Sequence, residues 1–293
     1  MEGRMKVCVL TGKQKLEWVE RDIPQPAAGE LQIKLEYVGI CGSDLHIYHS
    51  DIAIPVNPPV TTGHEFSGVI AEVGEGVEGF QAGDRVVSET AYSFCGTCDF
   101  CTEGYYNLCS ERKTLGYWYN GIFTNYTVVP AERVHKIPEG VSDLTAAMTE
   151  PLACVCHAVY DLNRIKGGDV VLVIGPGAIG NMAMQVAKAQ GAVVIISGTD
   201  IDQERLELAK KLGADYAVNI QKENLEELVM KLTKGYGVDC VLECSGSAPG
   251  TNTGLNLIKK LGYFTQIGMG RPNIDFQIEK VIYKELHFRG SLG

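Results

Sequence analysis

Four cysteines fall within fifteen residues, in the pattern Cys95-x2-Cys98-x2-Cys101-x7-Cys109. Thiolates two residues apart can turn back onto one ion, and a loop can bring in a fourth to close a tetrahedral shell, so the pattern predicts a structural zinc site. An iron–sulfur cluster is the rival, but ferredoxin-type runs bring their fourth cysteine sooner and follow it with proline. Here it comes seven residues on and precedes Ser110. Two disulfides would need an oxidising compartment, and nothing in the sequence points to export. A closed four-thiolate shell leaves no position for a substrate. The chemistry must lie elsewhere.

A second set of donors is scattered. Cys41-Gly-Ser43-Asp44-Leu-His46, Gly63-His64-Glu65 and Thr149-Glu150-Pro151 together offer a thiolate, an imidazole and carboxylates. Three protein ligands with an open fourth position are the pattern of a catalytic zinc. Singly each is weak, because a lone cysteine or histidine is more often a packed structural residue. A third device is Gly175-Pro-Gly177-Ala-Ile-Gly180, which follows an apolar run and opens a stretch of helical spacing. Gly175 permits the tight turn, Gly177 lets backbone approach a pyrophosphate, and Gly180 lets helix and strand pack closely. The helix N-terminus then offers unpaired N–H groups to the phosphates. Asp200, just after the second strand, is the candidate acceptor for the adenosine-ribose hydroxyls, and it favours NAD, while the room left by Gly198-Thr199 before it keeps NADP as an alternative. It could instead cap the helix that follows. Arg205 could lie over the adenine or pair with a phosphate.

The elements that must position these residues change character near residue 150. Before it, short runs such as VCVL, LQIKLEYVGI and EFSGVIAEVG are separated by Gly and Pro, which reads as an irregular β-rich domain, 1–150. After it, apolar runs at 170–174, 193–197, 216–219, 239–245 and 263–268 alternate with helical spacing at 178–190, 203–212, 224–232 and 251–260. Continuous apolar strands joined by right-handed crossovers make a parallel sheet covered on both faces. Residues 151–293 are therefore expected to form a doubly wound α/β domain of Rossmann type.

The stretch Gly63-His64-Glu65-x2-Gly68-x5-Gly74-x2-Val77 matches the signature of the zinc-containing medium-chain alcohol dehydrogenases at every specified position. The chain resembles their sorbitol (polyol) and threonine dehydrogenase branch, with Glu150 where polyol dehydrogenases carry a glutamate ligand. The resemblance implies an N-terminal GroES-like catalytic domain and an NAD-binding Rossmann domain, with two zinc ions per chain. It implies Cys41, His64 and Glu150 as ligands of the catalytic zinc, Glu65 as an outer or exchanging ligand, and Asp44 orienting His64. Ser43 and His46 match the family's proton relay, and Gly175, Gly177, Ile179, Gly180, Asp200 and Arg205 its NAD-binding positions. The chemistry is consistent: a secondary alcohol needs its hydroxyl acidified, and zinc can lower the pKa of bound water from roughly 15.7 to about 7. The implied activity is hydride transfer between a polyol or related secondary alcohol and NAD, with L-threonine and sugar-phosphate alcohols as alternatives and a silent NAD-binding relative as another. Relatives continue past the position of Gly293 with a return segment to the catalytic domain, so this chain is expected to be less stable and less active than an extended one.

Composition sets outer bounds. A hydrophobic fraction of 45% over 293 residues is enough for two cores. A formal charge of -10 argues against nucleic acid and anionic membrane as partners. No apolar run reaches spanning length, and the start MEGRMKVCVL lacks a signal-peptide core. A cytoplasmic enzyme is expected, with His287–Gly290 as an edge strand through which a homodimer or homotetramer could form.

Overall fold

The computed structural model describes residues 3–52, 54–269 and 275–293. The chain divides into two compact units, Met1–Glu150 and Pro151–Gly293. No helix among the described residues is long and apolar enough to cross a membrane.

In the first unit, β1 (Arg4–Gly12) and β2 (Lys15–Asp22) form an antiparallel hairpin. After it come β3 (Glu30–Val38), helix α1 (Gly42–His49), β4 (Phe66–Val73) and β5 (Arg85–Ser88). The short pair β6 (Ala91–Ser93) and β7 (Lys113–Thr114) brackets the four-cysteine segment, which holds one helical turn, α2 (Asp99–Thr102). Strands β8 (Tyr126–Pro130) and β9 (Val134–Lys136) complete a five-stranded antiparallel sheet in the order β8-β3-β4-β5-β9. Its inward residues recur with the period of two that a pleated strand imposes: Leu31 and Ile33 on β3 meet Phe66, Ile70, Val86 and Val129 in one buried cluster. The turn α3 (Asp143–Ala146) is capped by Ser142, whose hydroxyl accepts from the Thr145 N–H, and α4 (Thr149–Cys156) carries the chain into the second unit.

The second unit is a six-stranded parallel sheet. In chain order its elements are β10 (Val170–Ile174), α5 (Ala178–Ala189), β11 (Val193–Gly198), α6 (Gln203–Lys211) and β12 (Tyr216–Asn219). Then come α7 (Leu225–Leu232), β13 (Val238–Glu243), α8 (Ala248–Leu257), β14 (Ile258–Gln266), α9 (Ile278–Tyr283) and β15 (His287–Gly290). The strand order β12-β11-β10-β13-β14-β15 reverses direction between β10 and β13, a topological switch point where such sheets bind ligands. Every residue of β10 is buried because the strand serves two cores. Val171 and Val173 face Met184 and Ala187 of α5, whereas Leu172 and Ile174 join Val229 of α7 and Leu255 of α8. Each such Val, Leu, Ile or Met side chain contributes about 1.5–3 kcal/mol through burial. The helix expected at 251–260 begins earlier, at Ala248, and gives way to strand at Ile258. Ser247 sets that start, its hydroxyl accepting from the Gly250 N–H at 3.1 Å, with Pro249 in the first turn.

Candidate functional site

Cys41 lies just past β3 as the N-cap of α1, and the Asp44 carboxylate accepts its N–H at 2.9 Å. Ile47 pins the helix by packing with Leu10, Val60 and Tyr117. His64 and Glu65 immediately precede β4, so the pairing of β3 with β4 carries them to the same end as Cys41. One donor atom each from Cys41, His64 and Glu65 lies within 4.8 Å of the others. Burial pushes the Cys41 thiol up to about 11, with the charges of Glu65 and Glu150 adding and Ser43 opposing. Burial also drives His64 down to about 4, helped by the Arg112 charge, and raises the Glu65 carboxyl against the pull of Cys41. Neutral imidazole is the ligand form, and a cation among these donors would favour thiolate and carboxylate, reversing the cost of their burial.

Two orphaned atoms test the fit. His64 Nδ1 and Asp44 Oδ1 are buried 4.0 Å apart, and neither has a hydrogen-bond partner of good geometry. An imidazole that gives Nε2 to an ion carries its proton on Nδ1 and needs an acceptor there. Asp44, itself raised to about 6 mainly by burial, presents a carboxylate oxygen to it, 4.0 Å away. The residues fit a zinc ion. Glu150 stands outside the 4.8 Å group, in the first turn of α4, though its charge acts on Cys41 and on Tyr117. Ser43 and His46 lie three residues apart on α1, hence on one face. Ser43 Oγ is buried without a well-formed hydrogen bond, whereas His46 is 42% exposed with Nδ1 2.8 Å from Asp51. Tyr117 is a neighbour that motif reasoning missed. Its ring centroid is 5.8 Å from that of His64, and burial pushes its phenol up to about 12 against the pull of Ser43. A tyrosine matches no ligand pattern, so only the fold could bring it here.

The four-cysteine segment is also assembled. Sγ–Sγ separations are 3.9 Å for Cys95–Cys101, 3.5 Å for Cys98–Cys101 and 3.6 Å for Cys109–Cys95. Four sulfurs about 2.3 Å from one central ion would stand roughly 3.8 Å apart, so these thiols fit a tetrahedral zinc. N–H groups of Thr97 and Cys98 pull the Cys95 thiol down to about 6. An aromatic and ionic bracket docks the segment onto the sheet. Arg133 lies 4.4 Å over Phe94, which stacks on Tyr106, and the Tyr106 hydroxyl donates to Glu89 at 2.7 Å.

In the second unit the glycine loop lies at the switch point. Gly175 has φ +94, and a Cβ there would meet Ser245 at 2.9 Å. A Cβ on Gly180 would collide with the Gly175 carbonyl oxygen, while Gly177, the N-cap of α5, faces open space. That opening at a helix N-terminus fits a dinucleotide phosphate. Ile179 is half-buried against the α5 core. Asp200 does not cap α6; the N-cap is Asp202, which also holds Arg205 at 3.0 Å. Two residues here escaped the sequence reading. The buried Asn181 amide donates to the Pro176 carbonyl at 2.6 Å, and so fixes the loop. Glu243 is fully buried, accepting from Ser245 N–H at 3.1 Å, Gly246 N–H at 2.9 Å, Gln266 at 2.5 Å and the Ser245 hydroxyl. A charged residue ending the apolar run VDCVLE was its only signal. Glu243→Gln should lower stability by about 2–3 kcal/mol, because the new amide would face existing donors. A thermal melt unchanged from the parent would show that the turn needs no carboxylate.

Comparison with known proteins agrees with this geometry. Residues 27–139 match the alcohol dehydrogenase GroES-like domain family and 178–293 the zinc-binding dehydrogenase family. The chain is 49% identical to a sorbitol dehydrogenase of Halalkalibacterium halodurans, covering 98% of this chain and 84% of that one. It is 42% identical to a D-arabitol-phosphate dehydrogenase of Enterococcus avium (96% and 80% covered) and 40% identical to an L-threonine 3-dehydrogenase of Pyrococcus abyssi (94% and 79%). Among solved structures, a Sinorhizobium meliloti protein assigned as a zinc-binding dehydrogenase and bound to NADP superposes with TM-score 0.92 at 32% identity, covering 99% and 84%. Galactitol-1-phosphate dehydrogenase from Escherichia coli gives 0.88 at 29%, covering 98% and 82%. Ligand-type donors converging in a β-rich unit, a glycine loop at the switch point of a parallel sheet, and these matches lead to one assignment: the chain belongs to the zinc-binding dehydrogenases of the medium-chain alcohol dehydrogenase family.

Proposed function

We propose that this protein oxidises a secondary hydroxyl of a polyol or sugar alcohol, free or phosphorylated, with NAD as acceptor. The observation that carries the reading is the convergence of donor atoms of Cys41, His64 and Glu65 within 4.8 Å, with the buried His64 Nδ1 facing Asp44. Cys41 and His64 are the fixed zinc ligands, with Glu150 and Glu65 as the carboxylates that exchange in the third position. Gly175, Gly177, Ile179 and Gly180 form the phosphate cradle, with Asp200 and Arg205 flanking it on the adenosine side. When bound, zinc supplies Lewis-acid polarisation of the hydroxyl and the nicotinamide takes up the hydride.

The chain's own residues handle the proton. Oxidation releases a hydride from carbon and a proton from oxygen, and the proton must leave a buried position. Ser43, buried on α1, passes it along the helix face to the exposed His46, and Asp51 steadies the imidazole from 2.8 Å. Asp44 fixes His64 in the tautomer that leaves Nε2 free. Ser43→Ala should therefore cut alcohol oxidation by roughly 10²–10³-fold, and His46→Ala by about 10²-fold at most, with partial rescue by added buffer. Equal losses without rescue would make His46 a structural residue.

A panel test decides the substrate class. Zinc content and NADH formation would be measured on sorbitol, arabitol phosphate, L-threonine and a primary alcohol. Polyol preference is expected, since the polyol dehydrogenase relatives share more sequence than the threonine enzyme. Threonine as best substrate would reverse the reading. Four of the ten cysteines gather as a metal-type thiol set, a use of cysteine that supports a reducing, cytoplasmic setting. The edge strand β15 offers a pairing surface for a homodimer or homotetramer, which sedimentation would measure.

A further inference from the structure

Asp200, itself exposed, is flanked by a single turn that the chemistry above leaves unused. Strand β11 pairs with β12 so that Gly198 stands opposite Asn219, and the Ile220 N–H donates to the Gly198 carbonyl at 3.0 Å. That register brings the turn from Asn219 to Lys222 onto Asp200. The Asn219 amide donates to Asp200 Oδ1 at 2.8 Å, and the Lys222 ammonium lies 3.1 Å from the same oxygen. The Asp200 N–H donates to Gln221 Oε1 at 2.6 Å. Asn219 is buried and its own Oδ1 accepts the Gln221 N–H, so the turn is a fixed frame. The neighbouring Gly198 is packed against the glycine loop, where a Cβ would come within 2.8 Å of Pro176.

We propose that Lys222 sets the coenzyme selectivity of this chain, holding Asp200 for the ribose diol of NAD while admitting NADP as a second coenzyme. This rests on the NAD-site reading above. A lone carboxylate at this place excludes a 2′-phosphate by anion–anion repulsion. Here an ammonium shares that carboxylate, so the pair presents little net charge. Lys222 is 60% exposed, with donors to spare for a phosphate oxygen, whereas Arg205 is already engaged by Asp202. The two donors on Oδ1 hold the Asp200 carboxyl below its ordinary range, Asn219 first and Lys222 next. With both on Oδ1, Oδ2 is left to accept from a ribose hydroxyl.

The test is a titration of NADH and NADPH into the full chain, read by dinucleotide fluorescence, for the parent, Lys222→Met and Lys222→Arg. The parent should bind both, with Kd values within about tenfold of each other. Lys222→Met should raise the ratio of NADPH Kd to NADH Kd by about tenfold, almost entirely through NADPH, and Lys222→Arg should restore it. A merely structural ion pair would weaken both dinucleotides together. An unchanged ratio in Lys222→Met, or NADH binding by the parent without NADPH binding, overturns the proposal while leaving the NAD site intact. Binding of neither dinucleotide by the parent overturns the NAD-site reading and this proposal with it.

Discussion

Cys41→Ser should lower kcat/KM for alcohol oxidation by about a thousandfold or more and remove one of two zinc equivalents, with the melting temperature nearly unchanged. The thiol is one of three donors within 4.8 Å, and a serine hydroxyl does not ionise to replace a thiolate. Without the ion nothing at this place acidifies the hydroxyl, which accounts for the size of the loss. The fold is protected because Cys41 is the N-cap of α1, a position where serine is among the preferred residues. Metal analysis and a thermal melt on the same preparation would check it. Full activity, or loss of both metal equivalents together, would rule out the assignment of Cys41. Glu65→Ala and Glu150→Ala, measured alongside, identify the carboxylate that the zinc needs most.

Cys101→Ser should act in the opposite way, on stability with little effect on chemistry. Three sulfur–sulfur separations in this set are 3.5–3.9 Å and none of the four thiols is in a disulfide, so a zinc ion bound here would be the link that holds the four together. Structural zinc sites contribute folding energy directly, and loss of one thiolate from such a shell releases the loop around it. The bracket of Arg133, Phe94, Tyr106 and Glu89 stays in place and limits the damage to the segment beyond it. A fall in melting temperature of roughly 5–10 °C is expected, together with new proteolytic cuts between residues 95 and 109. Turnover per folded molecule should stay near the parent value. A segment as protease-resistant as the parent's would mean that the bracket alone holds it.

Much of this was legible because it is local. Cys95, Cys98 and Cys101 are separated by two residues each, so turn geometry alone can bring their sulfurs together. The glycine loop is read the same way: Gly175 adopts a positive φ and Gly180 has no room for a side chain. The parallel sheet followed from β10, where five successive apolar residues make sense only if both faces are covered. The start of α8 was misplaced because helical spacing was weighed above the cap, and Ser247 with Pro249 decides it.

The sequence by itself determined the types of donor, the two domains' character and the place of the phosphate loop, since each depends on short-range sterics or on periodicity. Only the tertiary structure decided which carboxylate meets Cys41 and His64, because that depends on how β3 pairs with β4 and where α4 begins. It also brought Tyr117 beside His64 and set the Asp44 carboxylate 4.0 Å from the imidazole. In the second unit it buried Glu243, brought Gln266 onto its carboxylate and set the turn of Asn219 and Lys222 beside Asp200. Each of these contacts joins residues that only strand register and helix packing bring together, and neither is written in any short stretch of the chain.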